Sequence, residues 1–227
     1  MADPPGHRAH SEAPHPDSRG GIRPLGRCRE WRGGVLKPIA AGDVQNLHEY
    51  ELARPDFRAR VIATKRARRV ALGPLVTVVF ENRQTVLFQI QEMVRIERIV
   101  RPEKIQEEID VYNALLPGEG EVAATLFIEV TDPEKVQPTL DGFVGMDEPG
   151  KLSLWLDGRA HPAVFAPGQS REDRISAVHY IRFPVGVEGR RALESGARAD
   201  LVLAHAGYEA RAPLSAETIQ ELRRDLE

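Results

Sequence analysis

Cysteine is almost missing from this chain of 227 residues, with Cys28 the only one. It has no partner for an intrachain disulfide and no companions for a cysteine metal site, which excludes disulfide scaffolds and cysteine-ligated zinc and fits a reducing compartment. No run approaches the ~18 consecutive apolar residues of a membrane-spanning helix. The N-terminus lacks the basic start, apolar stretch and small-residue cleavage site of a secretory signal, so a cytoplasmic protein with no membrane partner is expected. Neither sign of charge dominates: 34 acidic residues against 31 Lys and Arg give a net charge of −3. Nucleic acid and acidic membranes therefore meet no global attraction. Also missing are a phosphate-cradling glycine loop, a dinucleotide fingerprint, a nucleophile elbow, a zincin helix and paired Cys motifs. Common cofactor and hydrolase classes lose support, no cofactor or resident metal is expected, and sites assembled in three dimensions stay open.

What is present begins with a tail. Residues 1–36 hold Pro4, Pro5, Pro14, Pro16 and Pro24, several glycines and few periodic apolar residues. Such a segment cannot bury enough surface to offset its ordering entropy, so a disordered tail is expected, and deleting residues 1–35 should leave folding intact. His7, His10 and His15 could catch a transition metal there only weakly, for want of fixed geometry. Residues 37–227 form one α+β domain in this reading, with a division into two lobes near residue 118 left open.

From Leu36 onward the pattern is orderly. Asp43 is placed to cap a short helix to about Ala53, and Arg54-Pro55 divides it from a second helix ending in Lys65, Arg66, Arg68 and Arg69. Val70–Leu72, the Gly73-Pro74 turn and Leu75–Phe80 read as strands, the last buried on both faces. Val86, Ile90, Met93, Glu97 and Val100 then fall at helical spacing in a helix of about 18 residues, with Gln91, Arg95 and Arg98 facing away. Pro102 starts another helix with Ile105, Ile109, Tyr112 and Leu116 on one stripe. The second half is richer in strands: Val122–Val130, then Leu152–Leu156, the Asp157-Gly158 hairpin signal and a partner strand through Val164-Phe165. A short helix opens at Asp132-Pro133. Ile175, Ala177, His179, Ile181 and Phe183 alternate with polar neighbours, a hairpin joins Leu201–Leu203 to Tyr208–Ala210, and a last helix starts at Ser215 with Leu214 and Ile219 as its staple. Helices and strands partly segregate, which predicts a largely antiparallel sheet packed with helices.

Glu81, Asn82 and Arg83 stand where a strand end feeds a helix, with Glu92 and Arg95 further along it, and could form a cleft. The competing reading has Asn82 capping the helix and the charges in surface pairs. His179 shares a strand face with Ile175, Ile181 and Phe183, so its ring should point to the core and need a hydrogen-bond partner. A ligand or catalytic role would instead draw on Glu81, Arg83, Glu92, His179 and Arg182 together, with arginines clamping an anion while a carboxylate or imidazole moves a proton. A metal role would draw on His161, His179 and His205. Lys65, Arg66, Arg68 and Arg69, extended by Arg58 and Arg60, make a basic patch. A solvated helix end matched to its dipole explains it without nucleic acid.

Phe80-Glu81-Asn82-Arg83, Thr85-Val86, Gln89, Gln91-Glu92-Met93, Arg95 and Glu97 carry a resemblance. Glu49-Tyr50-Glu51, Arg54-Pro55, Phe57-Arg58, Tyr112-Asn113, Ala124-Thr125, Ile128-Glu129 and Ser176–Phe183 extend it. Together these resemble the bacterial family called domain of unknown function 3501, from Lys37 to about Phe183. That resemblance implies no established activity. It implies a setting beside rubrerythrin-like diiron proteins and iron–sulfur oxidoreductases, hence a non-catalytic accessory protein with a redox protein partner, in a redox or oxidative-stress setting. The alternative is an enzyme or small-ligand-binding protein with a polar Glu/Arg/His pocket.

Overall fold

The computed structural model describes residues 37–171 and 174–225. The expected tail, with Cys28, His7, His10 and His15, lies outside them. The fold is α+β, with two larger antiparallel sheets, a two-stranded antiparallel ribbon and six α-helices among the described residues. Among the described residues no helix is long and apolar enough to cross a membrane.

A helix α1 (Leu47–Ala67) leads into the hairpin β1 (Arg69–Leu72) and β2 (Val76–Phe80). Helices α2 (Arg83–Ile96) and α3 (Pro102–Asn113) follow, then β3 (Glu121–Ile128) and the short α4 (Val136–Asp141). Strands β4 (Leu152–Leu156), β5 (Arg159–Pro162) and β6 (Val164–Phe165) come next. After them run β7 (Ser170–Arg171), β8 (Arg174–Ile175) and β9 (Val178–Pro184). Helix α5 (Gly186–Glu194), the hairpin β10 (Ala199–His205) and β11 (Tyr208–Pro213), and α6 (Ala216–Asp225) complete the chain.

One sheet has the order β1-β2-β3-β9-β6 and the other β11-β10-β4-β5. Period-two alternation decides what faces what. Leu72, Val78, Phe80, Leu126, Ile181 and Phe183 from the first sheet meet Leu152, Leu154, Leu156, Leu201 and Leu203 from the second in one apolar cluster. The first sheet's other face looks toward α2 and α3, whose Val86, Ile90, Val94, Ile109 and Tyr112 form a second cluster with Ile39, and Tyr180 of β9 packs against it. Packing thus follows two clusters rather than two halves of the chain, since β1 and β2 share a sheet with β3 and β9.

Several local expectations change. Pro55 does not divide two helices but lies inside α1. Its ring frees the carbonyl of Glu51, and both residues are exposed, so water satisfies that group and the helix continues. Asn46, not Asp43, caps α1, accepting from Glu49 N at 3.0 Å. Asp43 ends a 3₁₀ turn and accepts from Ala40 N instead. Helix α2 has 14 residues rather than about 18, ending before Arg98, whose φ of 50° is left-handed. Gln91 does not face away: it is buried and grips the backbone of Gln45 at both N (2.6 Å) and O (3.2 Å). The hairpin partner of β4 is β5, while Val164-Phe165 crosses to the first sheet beside β9. Helix α5 escaped the sequence reading because Gly186 and Gly189 weaken its signal. A Cβ on Gly189 would lie 2.6 Å from the Val185 side chain and 3.1 Å from Leu156, so glycine lets α5 settle against the second sheet.

Candidate functional site

The cavity that carries chemistry lies on the helix-facing side of the first sheet. The strand registers pair Val79 with Thr125 and Thr125 with Tyr180, and the next row holds Ala123 opposite Arg182. Glu81 extends that row beyond β2, donating its N–H to the Ala123 carbonyl at 2.9 Å. Side chains directly across antiparallel strands share a face, so Glu81, Ala123 and Arg182 stand side by side. A cavity of about 380 Å³ opens here, roofed by Ala114 and Leu115 after α3 and by Val164–Pro167, with Glu81, Glu121, Thr125, Tyr180 and Arg182 as its polar wall.

Glu81 is 3% exposed. Thr125 Oγ1 donates to its Oε1 at 2.7 Å, and Thr85 Oγ1, from the first turn of α2, donates to its Oε2. Burying a carboxylate is costly unless donors or a cation meet it. Here hydroxyls do so, because the nearby guanidinium groups are committed elsewhere. Arg83 pairs with Asp43 at 2.6 Å, and Arg182 pairs with Glu121 at 3.1 Å while also donating to the Ala114 carbonyl. Glu121 accepts in addition from Gly118 N at 2.9 Å, so Arg182 ties β9 to the connection between α3 and β3. Burial, and then the charge of Glu81, pushes the Tyr180 phenol up to about 12. It stays protonated at neutral pH, able to donate and to accept.

The six residues singled out in the sequence do not converge. Glu81 and Arg182 share the cavity wall. Asn82 caps α2, accepting from Thr85 N at 3.0 Å, and reaches Asp225 at 3.4 Å. Arg83 is held by Asp43 and by the Lys37 carbonyl. Glu92 lies between α1 and α2, taking two hydrogen bonds from Arg54 and one from Tyr50. His179 points into the opposite, sandwich face, edge-on to Phe165 with ring centroids 5.5 Å apart. Its Nε2 meets the Ser176 carbonyl at 2.8 Å and its Nδ1 has no partner among the described residues. Burial lowers its pKa, against the opposing pull of Ser176 and Asp147.

A five-residue acid–base cleft including Arg83, Glu92 and His179 is therefore corrected to a pocket built on Glu81 and Arg182. Sequence reading missed Thr85, Thr125 and Tyr180. For Thr125 and Tyr180 the signal was the polar side of the alternation in β3 and β9, which pointed to this face without saying what faced it; Thr85, in the first turn of α2, carried no such signal. Among the described residues no group of three His, Cys, Asp or Glu side chains is placed to hold a metal ion. His161 and His205 bind the carbonyls of Pro184 and Gly142 separately, at 3.1 Å each.

No curated protein matches this sequence. A crystal structure of a novel protein of unknown function from Burkholderia pseudomallei is similar, with a TM-score of 0.79 and 29% identity over 84% of this chain and 100% of that one. The model of the family described as Protein of unknown function (DUF3501) matches residues 38–226, and the chain belongs to that family.

Proposed function

We propose that this protein binds a small organic molecule in the cavity between the first sheet and the end of α3. One observation carries the reading: the buried carboxylate of Glu81 opens onto a cavity of about 380 Å³, within the size range of small-ligand pockets. Apolar residues line most of it and a few polar groups converge from one side, the usual division between affinity and orientation. Glu81 and the Tyr180 phenol are within the same wall and could also move a proton on a bound molecule. A cytoplasmic location accords with the lone Cys28. A partnership with a redox protein under oxidative stress is a separate proposal that rests on the family resemblance alone, and recovery of such a protein in native pull-downs tests it.

A thermal-shift screen of a fragment set against the full chain tests the pocket. Ala166 lines the cavity, and Ala166→Phe would fill much of it. Fragments that raise the melting temperature of the unsubstituted protein should lose that effect in Ala166→Phe, provided circular dichroism shows both fold. Fragments that stabilise both proteins equally would place binding elsewhere and sink the reading.

A further inference from the structure

We infer that the ligand of this pocket is a protonated amine on a small apolar body, an inference that rests on the pocket reading above. The cavity wall carries two carboxylates, Glu81 and Glu121, against one guanidinium, Arg182. Arg182 and Glu121 neutralise each other at 3.1 Å, and the guanidinium's remaining contact is the Ala114 carbonyl. Arg182 therefore offers little to an incoming anion. Glu81 has no ion-pair partner among the described residues, and its two oxygens accept one hydroxyl each. An ionised carboxyl group has about four acceptor positions, so roughly half of its capacity stays open.

The flanking groups match the same ligand. The Tyr180 ring lines the cavity beside the carboxylate, whereas Phe165, paired with Ile181, turns its ring to the sandwich face against His179. An aromatic ring next to a desolvated carboxylate suits ammonium: the ring quadrupole attracts the cation, and the carboxylate takes its N–H donors at charge-assisted strength. Leu115, Val164 and Pro167 leave the rest of the ligand in apolar surroundings. An anionic ligand would meet an unpaired negative charge, and a neutral one would leave Glu81 without its cation.

Isothermal titration of the full chain with three probes of similar size tests this: phenethylamine, phenethyl alcohol and hydrocinnamate. Phenethylamine should bind roughly tenfold to a hundredfold tighter than phenethyl alcohol, the range of a charge-assisted hydrogen bond, with hydrocinnamate weakest. Glu81→Gln should bring the amine to the affinity of the alcohol. Hydrocinnamate binding tightest, or an amine preference that survives Glu81→Gln, overturns the inference. The pocket reading would still stand if Ala166→Phe abolishes binding of the alcohol. If no probe binds, or all survive Ala166→Phe, the pocket reading falls and the inference with it. Should Glu81→Gln fail to fold, the ranking of the three probes on the unsubstituted chain decides alone.

Discussion

Arg68, at the end of α1, holds Asp225, in the last turn of α6, with both terminal nitrogens at 2.6 and 2.8 Å across 157 residues of chain. The guanidinium is 1% exposed and also binds the side chain and carbonyl of Glu221. Burial, and to a lesser degree the charge of Glu221, raises the Asp225 carboxyl, and Arg68 and Asn82 offset only part of that. Removing the cation would leave a buried acid unmatched, so Arg68→Met should cost about 3 to 5 kcal/mol. Urea unfolding at neutral pH measures it. A loss below about 1 kcal/mol would show that α6 pulls away and lets water reach Asp225.

Glu92 sets an acid limb of stability. Burial pushes its carboxyl up, but hydrogen bonds from Arg54 and Tyr50 and the charges of Arg54 and Arg95 outweigh this and bring it down to about 2. A group depressed in the folded state stabilises above its unfolded pKa, here 4.5, and that stability is lost as pH falls toward the folded value. A fall of about 3 kcal/mol between those limits is expected from the linkage. Glu92→Gln should be less stable at pH 7 and flatter over that range, read from denaturant midpoints against pH.

His179 acts in the same direction at milder pH. Its folded pKa lies below 6.5 because burial disfavours the imidazolium. The unfolded chain therefore binds more protons as pH drops below 6.5, and the folded state loses stability down to the folded pKa. The unpartnered Nδ1 would carry the added proton with no acceptor waiting. His179→Gln should abolish the pH slope just below 6.5 whatever its effect at pH 8. An unchanged slope there would assign it to another group.

Much of the architecture was legible because period-two alternation in β3, β4 and β9, the Gly73-Pro74 and Asp157-Gly158 turns and the Leu214–Ile219 staple are local signals. Non-local compensation was not legible. Pro55 survives inside α1 because the carbonyl it frees faces water, and Gln91 is buried because Gln45, 46 residues earlier, needs its amide. The site followed the same rule. Glu81 and Arg182 could be picked out as charged residues beside strand ends, but only the register across β2, β3 and β9 puts them on one face, and it puts His179 on the other.

Two glycines with nearly the same backbone separate strain from contact. Gly73 and Gly158 have φ of 78° and 79°, so alanine at either costs about 1 kcal/mol or more in backbone strain. Nothing lies within 4 Å of a Cβ on Gly158, whereas one on Gly73 would sit 2.5 Å from Tyr208 Oη. That hydroxyl accepts from Leu75 N and Val76 N and donates to the Leu72 carbonyl, fastening β11 to the β1–β2 turn. Gly73→Ala should therefore lower the thermal midpoint clearly more than Gly158→Ala. In a Tyr208→Phe background the gap between them should shrink, and equal losses in both backgrounds would show that Tyr208 yields freely.

The last prediction concerns the donors that hold Glu81. Thr125→Val keeps the shape of the side chain and removes the hydroxyl that meets Oε1 at 2.7 Å. Thr125 is itself buried, so no water replaces the donor without entering the cavity. The substitution should cost about 1 to 3 kcal/mol, the penalty for orphaning one side of a buried polar group, while Thr125→Ser, which keeps the donor, should lose only the methyl group's burial, about 1 kcal/mol. If an amine occupies the pocket, saturating phenethylamine should recover part of the Thr125→Val loss, because the ammonium supplies a donor to the same carboxylate. Denaturant unfolding of the three proteins with and without the amine gives the comparison. Equal losses for valine and serine would mean that the hydroxyl does not hold Glu81, and the carboxylate would then have to be satisfied from within the cavity.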